Sequence, residues 1–318
     1  LELESIFFMS KYSAKIIANS ISIYGTRMVT MEIEYPRFIL AELNTHRILS
    51  KNSASSRAIP TKAMLDSILK DPATPVYWGL NQAGMIAADE ISEDYKQQAQ
   101  DLWYQACNSA VSYSSQLATL ELHKQIVNRI TEPWMTMKTV ISGTEWNNFY
   151  HLRNHKDAQP EIHKLAELMY TAHTNSKPEL LYPGEWHVPY VTTNRVKDGQ
   201  LMYTSSSGCP LTAHEARVVS ASCCAQVSYR KNDDSLEKAQ KIFEQLINSK
   251  PAHASPVEHQ ATPIDVELAQ WLYPEFWPAG VTHADRYGVL WSGNLRGWIQ
   301  YRKTIKDEAV WGDIPFKQ

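Results

Sequence analysis

The chain has 318 residues, 43% hydrophobic and 10% aromatic, with a formal net charge of −3. That is enough for a substantial core in one large domain or two ordinary ones. So small a charge excludes a global field that would gather nucleic acid or an anionic membrane, and any basic site must be local. No apolar run approaches the roughly 20 residues needed to span a bilayer. The opening LELESIFFMS is acidic and lacks the basic start of a secretory signal.

Residues 1–9 read as a tag or upstream residues, with Met9 a natural start, and 10–318 as a single domain in the cytoplasm. Cys107, Cys209, Cys223 and Cys224 form no C-x-x-C pair and read as buried free thiols of a reducing compartment.

In chain order, residues 13–24 (SAKIIANSISIY) and 28–41 (MVTMEIEYPRFILA) predict strands, rich in β-branched and aromatic side chains. Pro60 and Thr61 open a helix that Pro72 and Pro75 stop. A long helical pattern runs from about Glu90 to Asn128, and another from Glu145 to His155. Asp157 is placed to cap the next helix, with Pro160 in its first turn, where no amide donor is missed. Residues 175–215 are turn-rich and read as a connection or an insertion. A periodic segment from Ala216 and a helix SLEKAQKIFEQLINS follow. The tail from Gln260 is aromatic and rich in Pro and Gly, as suits an ordered loop region over a site.

Four stretches carry chemistry. THRILSKNSASSR sets Arg47 and Arg57, whose guanidinium forks suit phosphate, among short hydroxyl donors; a polar loop capping a helix would use the same residues. HKQIVNRITEPW holds Arg129, for which a structural salt bridge is the plain alternative. EWNNFYHLRNHKDAQPEI sets His151 and His155 at the i, i+4 spacing of a helical metal pair, but without H-E-x-x-H, and no metal site is expected. SKPAHASPVEHQATP reads as a turn before a strand. Cys209, five residues before His214, is weak as a nucleophile. There is no G-x-S-x-G, no strand-borne G-x-G-x-x-G and no Walker loop, which removes the main supports of hydrolase, dehydrogenase and kinase readings.

Together these stretches resemble the flavin-dependent thymidylate synthases, the ThyX family. The family's R-H-R followed by S-x-R appears as Thr45-His46-Arg47, then Ser50, Asn52, Ser55 and Arg57. Thr45 replaces the first arginine, Glu42 a usual glutamine and Ser53 a usual glutamate. Asn148, Arg153 and Gln159 fall on positions of a second family segment, in which Asp157 replaces a histidine. Arg129 matches a third. AQVSYRK and HASPVEH resemble segments that precede the R-H-R strand in ordinary members, whereas here they come last, so the chain resembles a permuted, phage-type member.

The resemblance implies an α+β fold, an antiparallel sheet packed with long helices, with its segments in permuted order. It implies transfer of a one-carbon unit from methylenetetrahydrofolate to C5 of dUMP, with FAD and NADPH, in a homotetramer that uses no membrane and no nucleic acid. Glu42, Ser55, Ser56, Arg57, Arg129 and Arg153 are the implied dUMP residues, the last two from a neighbouring subunit. Thr45, His46, Arg47, Asn52, Ser142, Asn148, His253 and Ser255 are the implied FAD residues. Arg153 and Ser55 are the catalytic candidates, Ser55 as a ligand and not as a nucleophile. Two alternatives stand: a dUMP hydroxymethylase on the same scaffold, and a non-catalytic nucleotide or single-strand binder whose RGWIQYRK tail stacks bases.

Overall fold

The computed structural model describes residues 11–228, 233–249, 252–266 and 273–309. β1 (Ser13–Ser22) and β2 (Arg27–Pro36) form an antiparallel hairpin. Its tight turn passes through Gly25 at φ +84°, a conformation that costs a side-chain-bearing residue but not glycine. The second predicted strand ends early. Pro36 has no amide hydrogen to continue the ladder, and a 3₁₀ turn ending at buried Ile39 leads into α1 (Leu40–Asn44), where Leu43 is buried at helical spacing from it.

β3 (Ser50–Ser53) lies at one edge of the main sheet. α2 (Thr61–Lys70) follows, then α3 (Glu93–Thr119), about 40 Å long at the helical rise. The predicted run to Asn128 breaks after Thr119: Glu121 takes a left-handed φ of 59°, and His123 caps the short α4 (Lys124–Val127). β4 (Thr136–Gly143), α5 (Asn147–Arg153), α6 (Pro160–Asn175) and β5 (Glu179–Leu181) complete the first half. Pro160 opens α6 as expected, but its N-cap is Gln159, and no side chain caps it, so Asp157 lacks the role assigned to it.

The sheet order is β3-β4-β2-β1-β5, antiparallel except for the β1–β5 pair. Alternate residues of a strand face opposite sides. Val29, Met31, Ile33 and Tyr35 of β2 pack with Phe149, Ile162, Leu165 and Met169 of α5 and α6. Thr30 lies on the opposite side, where Val140 of β4 packs with Cys224 and Val227.

Residues 175–215 are more than a connection: β6 (Thr192–Arg195), β7 (Leu201–Thr204) and β8 (Pro210–Leu211) form an antiparallel meander. Its Leu201, Tyr203 and Leu211 share a core with α7 (Ala213–Ala225), which Thr212 and Glu215 start as a reciprocal capping box. After α8 (Leu236–Asn248) come β9 (Ala261–Pro263), β10 (His283–Ala284), β11 (Leu290–Ser292), β12 (Leu295–Arg296) and β13 (Trp298–Gln300). β13 pairs with β9, and β10, β11 and β12 form a small sheet.

The tail is therefore structural. Trp298 is 0% exposed and Tyr301 is buried in the core shared with α7, so neither ring is available to stack a base. Cys107, Cys223 and Cys224 are buried free thiols as expected, but Cys209 is exposed.

Candidate active site

The turn from Thr45 to Leu49 joins α1 to β3 and is held from inside. Lys51 donates from Nζ to the carbonyls of His46 at 2.5 Å and Leu49 at 2.8 Å. Burial lowers this amine to about 8 against the opposing pull of Glu258. Sequence reasoning missed Lys51; its signal is a lone cation within a serine-flanked edge strand.

Arg153 ends α5 and reaches this turn. Its Nε donates to His46 Nε2 at 2.8 Å, Nη1 pairs with Glu42, and Nη2 stands 3.5 Å from the Thr45 hydroxyl. Three of the five guanidinium N–H donors are thereby used. Because His46 accepts at Nε2, its proton sits on Nδ1. Burial, then the nearby Arg153 and Lys51 charges, hold its pKa down to about 4, so the ring is neutral at pH 7. The edge of Phe149 packs on it at 4.9 Å.

Thr45, His46, Arg47 and Ile48 face Glu145, Asn147, Asn148, Leu152 and Arg153 across a groove of about 510 Å³. Arg47 and Asn148 are exposed there, and the Arg47 guanidinium has no partner among the described residues.

At the far end of β3, Ser55 N–H donates to Ser228 Oγ at 2.9 Å, and Ser55 Oγ accepts the Arg57 N–H. Ser56 is buried with its hydroxyl toward Glu132 at 3.4 Å. Asn128 donates to the carbonyls of Ser56 and Ile59, which ties the segment carrying exposed Arg129 to the loop that carries exposed Arg57. Arg129 bonds the Gln125 carbonyl and forms no ion pair among the described residues, so the salt-bridge alternative does not hold here. A second groove of about 580 Å³ runs past Ser56, Lys70, Lys138 and Ser228.

The expected site residues thus divide. Glu42, Thr45, His46, Arg47, Asn148 and Arg153 gather at one end of β3, and Ser55, Ser56, Arg57 and Arg129 at the other. The four residues of β3 separate them by roughly 13 Å at a strand's rise.

Other expected FAD residues sit elsewhere. Ser142 is 0% exposed and its hydroxyl is engaged by Thr30 at 2.7 Å and His259 at 2.8 Å, so it has no free face for a ligand. Asn52 donates to the Cys224 carbonyl and accepts from Ser255 Oγ, so these two residues join the halves of the chain. His253 is exposed and is not among the residues of either groove.

α5 ends at Arg153, so His151 and His155 do not share a helix. No group of three metal-donor side chains occurs among the described residues.

The segments that come last in sequence return to this region. Ser228, in AQVS, holds Ser55. Ser255, in HASPVEH, holds Asn52. The family model of thymidylate synthase complementing protein matches residues 15–179, more than half of the chain.

The chain belongs to that family.

Membership in the thymidylate synthase complementing proteins makes it a methyltransferase-type enzyme of nucleotide metabolism. Two solved structures of the UMP/dUMP methylase PolB from Streptomyces cacaoi, bound with 5-Br UMP and 5-Br dUMP, are similar to it. Their TM-scores are 0.46 and 0.44, each at 18% identity over 52% of this chain and 90% and 91% of their own. No curated protein sequence matches the chain significantly. No helix among the described residues is long and apolar enough to cross a membrane.

Proposed function

We propose that this member is a flavin-dependent thymidylate synthase, which converts dUMP to dTMP with methylenetetrahydrofolate as one-carbon donor and NADPH as reductant. The observation that carries this reading is the run from the Thr45–Leu49 turn through β3 to Ser55–Arg57, with Arg47 at one end and Arg57 at the other, neither guanidinium partnered among the described residues. Free guanidinium groups beside hydroxyls and amides suit phosphate-bearing ligands.

The donor set of the Arg47 groove fits FAD. Arg47 would take a phosphate oxygen, Asn148 would donate to or accept from polar edges, Thr45, whose hydroxyl donates to the Glu42 carbonyl, would only accept, and neutral His46 would lie beneath without adding charge. When bound, the flavin would supply the reducing equivalents drawn from NADPH. Ser55, Ser56, Arg57 and Arg129 would hold dUMP. Arg153, kept in plane by Glu42 and His46, would turn its remaining N–H donors toward a uracil carbonyl and hold negative charge developing on the ring. Arginine suits this because it stays protonated. The span of β3 separates Arg153 from the Ser55–Arg57 end of one chain, which supports an assembly, a homotetramer on this reading, in which one copy's Arg153 serves another's nucleotide.

The test is mass spectrometry of dUMP incubated with the protein, FAD, NADPH and methylenetetrahydrofolate. Methylated product supports the proposal. A hydroxymethylated product would replace it with the hydroxymethylase reading, and no product with dUMP bound would leave a binding protein.

A further inference from the structure

The C-terminal segment lies outside the part of the chain that matches the family model, yet it touches both walls of the Arg47 groove. Asn294 Nδ2 donates to the Ile48 carbonyl at 2.9 Å and to Ser50 Oγ at 3.0 Å, which ties down the wall formed by the Thr45–Leu49 turn. Its Oδ1 accepts from Gln300 Nε2 at 3.0 Å, so the amide is itself oriented. Two residues later, the Arg296 N–H donates to Thr144 Oγ1 at 3.0 Å, and its Nη1 stands 3.9 Å from Glu145, a residue of the opposite wall. The turn that presents Asn294 depends on Gly293 at φ +58°, where a Cβ would meet Gln300 Oε1 at 3.2 Å and Lys303 Cε at 3.3 Å. β13 then buries Trp298 and fixes the segment to the core.

We infer that Asn294 and Arg296 are positioning residues that clamp the two walls of this groove and so set its width for ligand. Without Asn294, the Ile48 carbonyl and the Ser50 hydroxyl lose a shared donor, and Arg47, next to Ile48, loses its fixed presentation.

The test compares Asn294→Ala, and Thr144→Val, which removes the hydroxyl that accepts the Arg296 N–H, with a control, Lys303→Gln, which breaks an ion pair of the same segment to Glu308 at 2.7 Å but touches neither wall. Hydrogen exchange in the free protein is read over residues 46–50 and 144–148, and FAD affinity by quenching of flavin fluorescence. Asn294→Ala is expected to speed exchange severalfold over residues 46–50 and to weaken FAD by about tenfold. Thr144→Val is expected to speed exchange over 144–148, and Lys303→Gln to change neither reading. Faster exchange across the whole C-terminal half would show a merely structural role and overturn the inference. So would values within twofold of wild type in both groove variants. The affinity arm rests on the proposed flavin site and the exchange arm does not. A wild-type protein that fails to bind FAD overturns the proposed function, and exchange alone then decides the clamp. If Asn294→Ala fails to fold, Thr144→Val decides it at the opposite wall.

Discussion

Arg153 donates through Nε to His46 Nε2 at 2.8 Å, so the last residue of α5 is locked onto the turn that precedes β3. The lock fixes the histidine tautomer and leaves the outer edge of the guanidinium free. It also joins two stretches separated by 107 positions in sequence.

Arg153→Ala is expected to lower turnover of dUMP by about a hundredfold or more while the protein stays folded. Arg153→Lys is not expected to restore it, because an ammonium cannot engage Glu42 and His46 from one rigid plane. Loss of the cation should also raise the His46 pKa from its value of about 4. Steady-state kinetics and a histidine NMR titration read both, and an unchanged rate would remove Arg153 from the mechanism.

Arg47→Gln should leave the melting temperature unchanged, since the guanidinium has no partner to lose among the described residues. It should weaken FAD by about tenfold through loss of a charged hydrogen bond and reduce the salt dependence of binding. Titration at two ionic strengths checks this.

Ser55→Ala should keep its loop, because the tie to Ser228 runs through the Ser55 backbone N–H and not its hydroxyl. Loss of Oγ should therefore weaken dUMP binding severalfold and FAD binding little. Calorimetric titration of both ligands is decisive; equal losses would mean that the loop itself had collapsed.

His187 and His259 are 1% and 0% exposed and lie in one buried polar chain, Ser20–His187–Thr30–Ser142–His259. Burial holds both well below the ordinary histidine value of 6.5, to about 3. The unfolded chain therefore binds more protons than the native one between these values. The stability these groups retain is full above about 6.5 and falls as pH drops toward 3, by up to about 1.4 kcal/mol per pH unit for each histidine. Urea unfolding from pH 7.5 to 5 should show this slope, and His259→Asn should flatten it.

Trp298→Ala should destabilise the protein by about 3–5 kcal/mol, the usual loss on emptying a fully buried aromatic site. A nucleic-acid platform would instead leave stability intact and lose affinity for single strands. Denaturant melts and a strand-binding assay separate the two.

The local grammar of this chain was legible without coordinates. The β-branched runs made β1 and β2, Pro160 opened α6, and the helical period of SLEKAQKIFEQLINS made α8, because each depends on neighbours in sequence. The hydroxyls and arginines of THRILSKNSASSR carried a resemblance to the family to which the chain belongs. What the tertiary structure decided is which of those residues have a free face. Ser142 looked like its neighbours in composition, yet the pairing of β4 between β2 and β3 buries it against Thr30 and His259. The strands of 175–215 are two to four residues long, and the tail is held by partners hundreds of residues apart, such as Trp298 and Thr26 or Asn294 and Ile48. Their periodicity is too short to register in sequence, and only the closing of the chain on itself supplies those contacts.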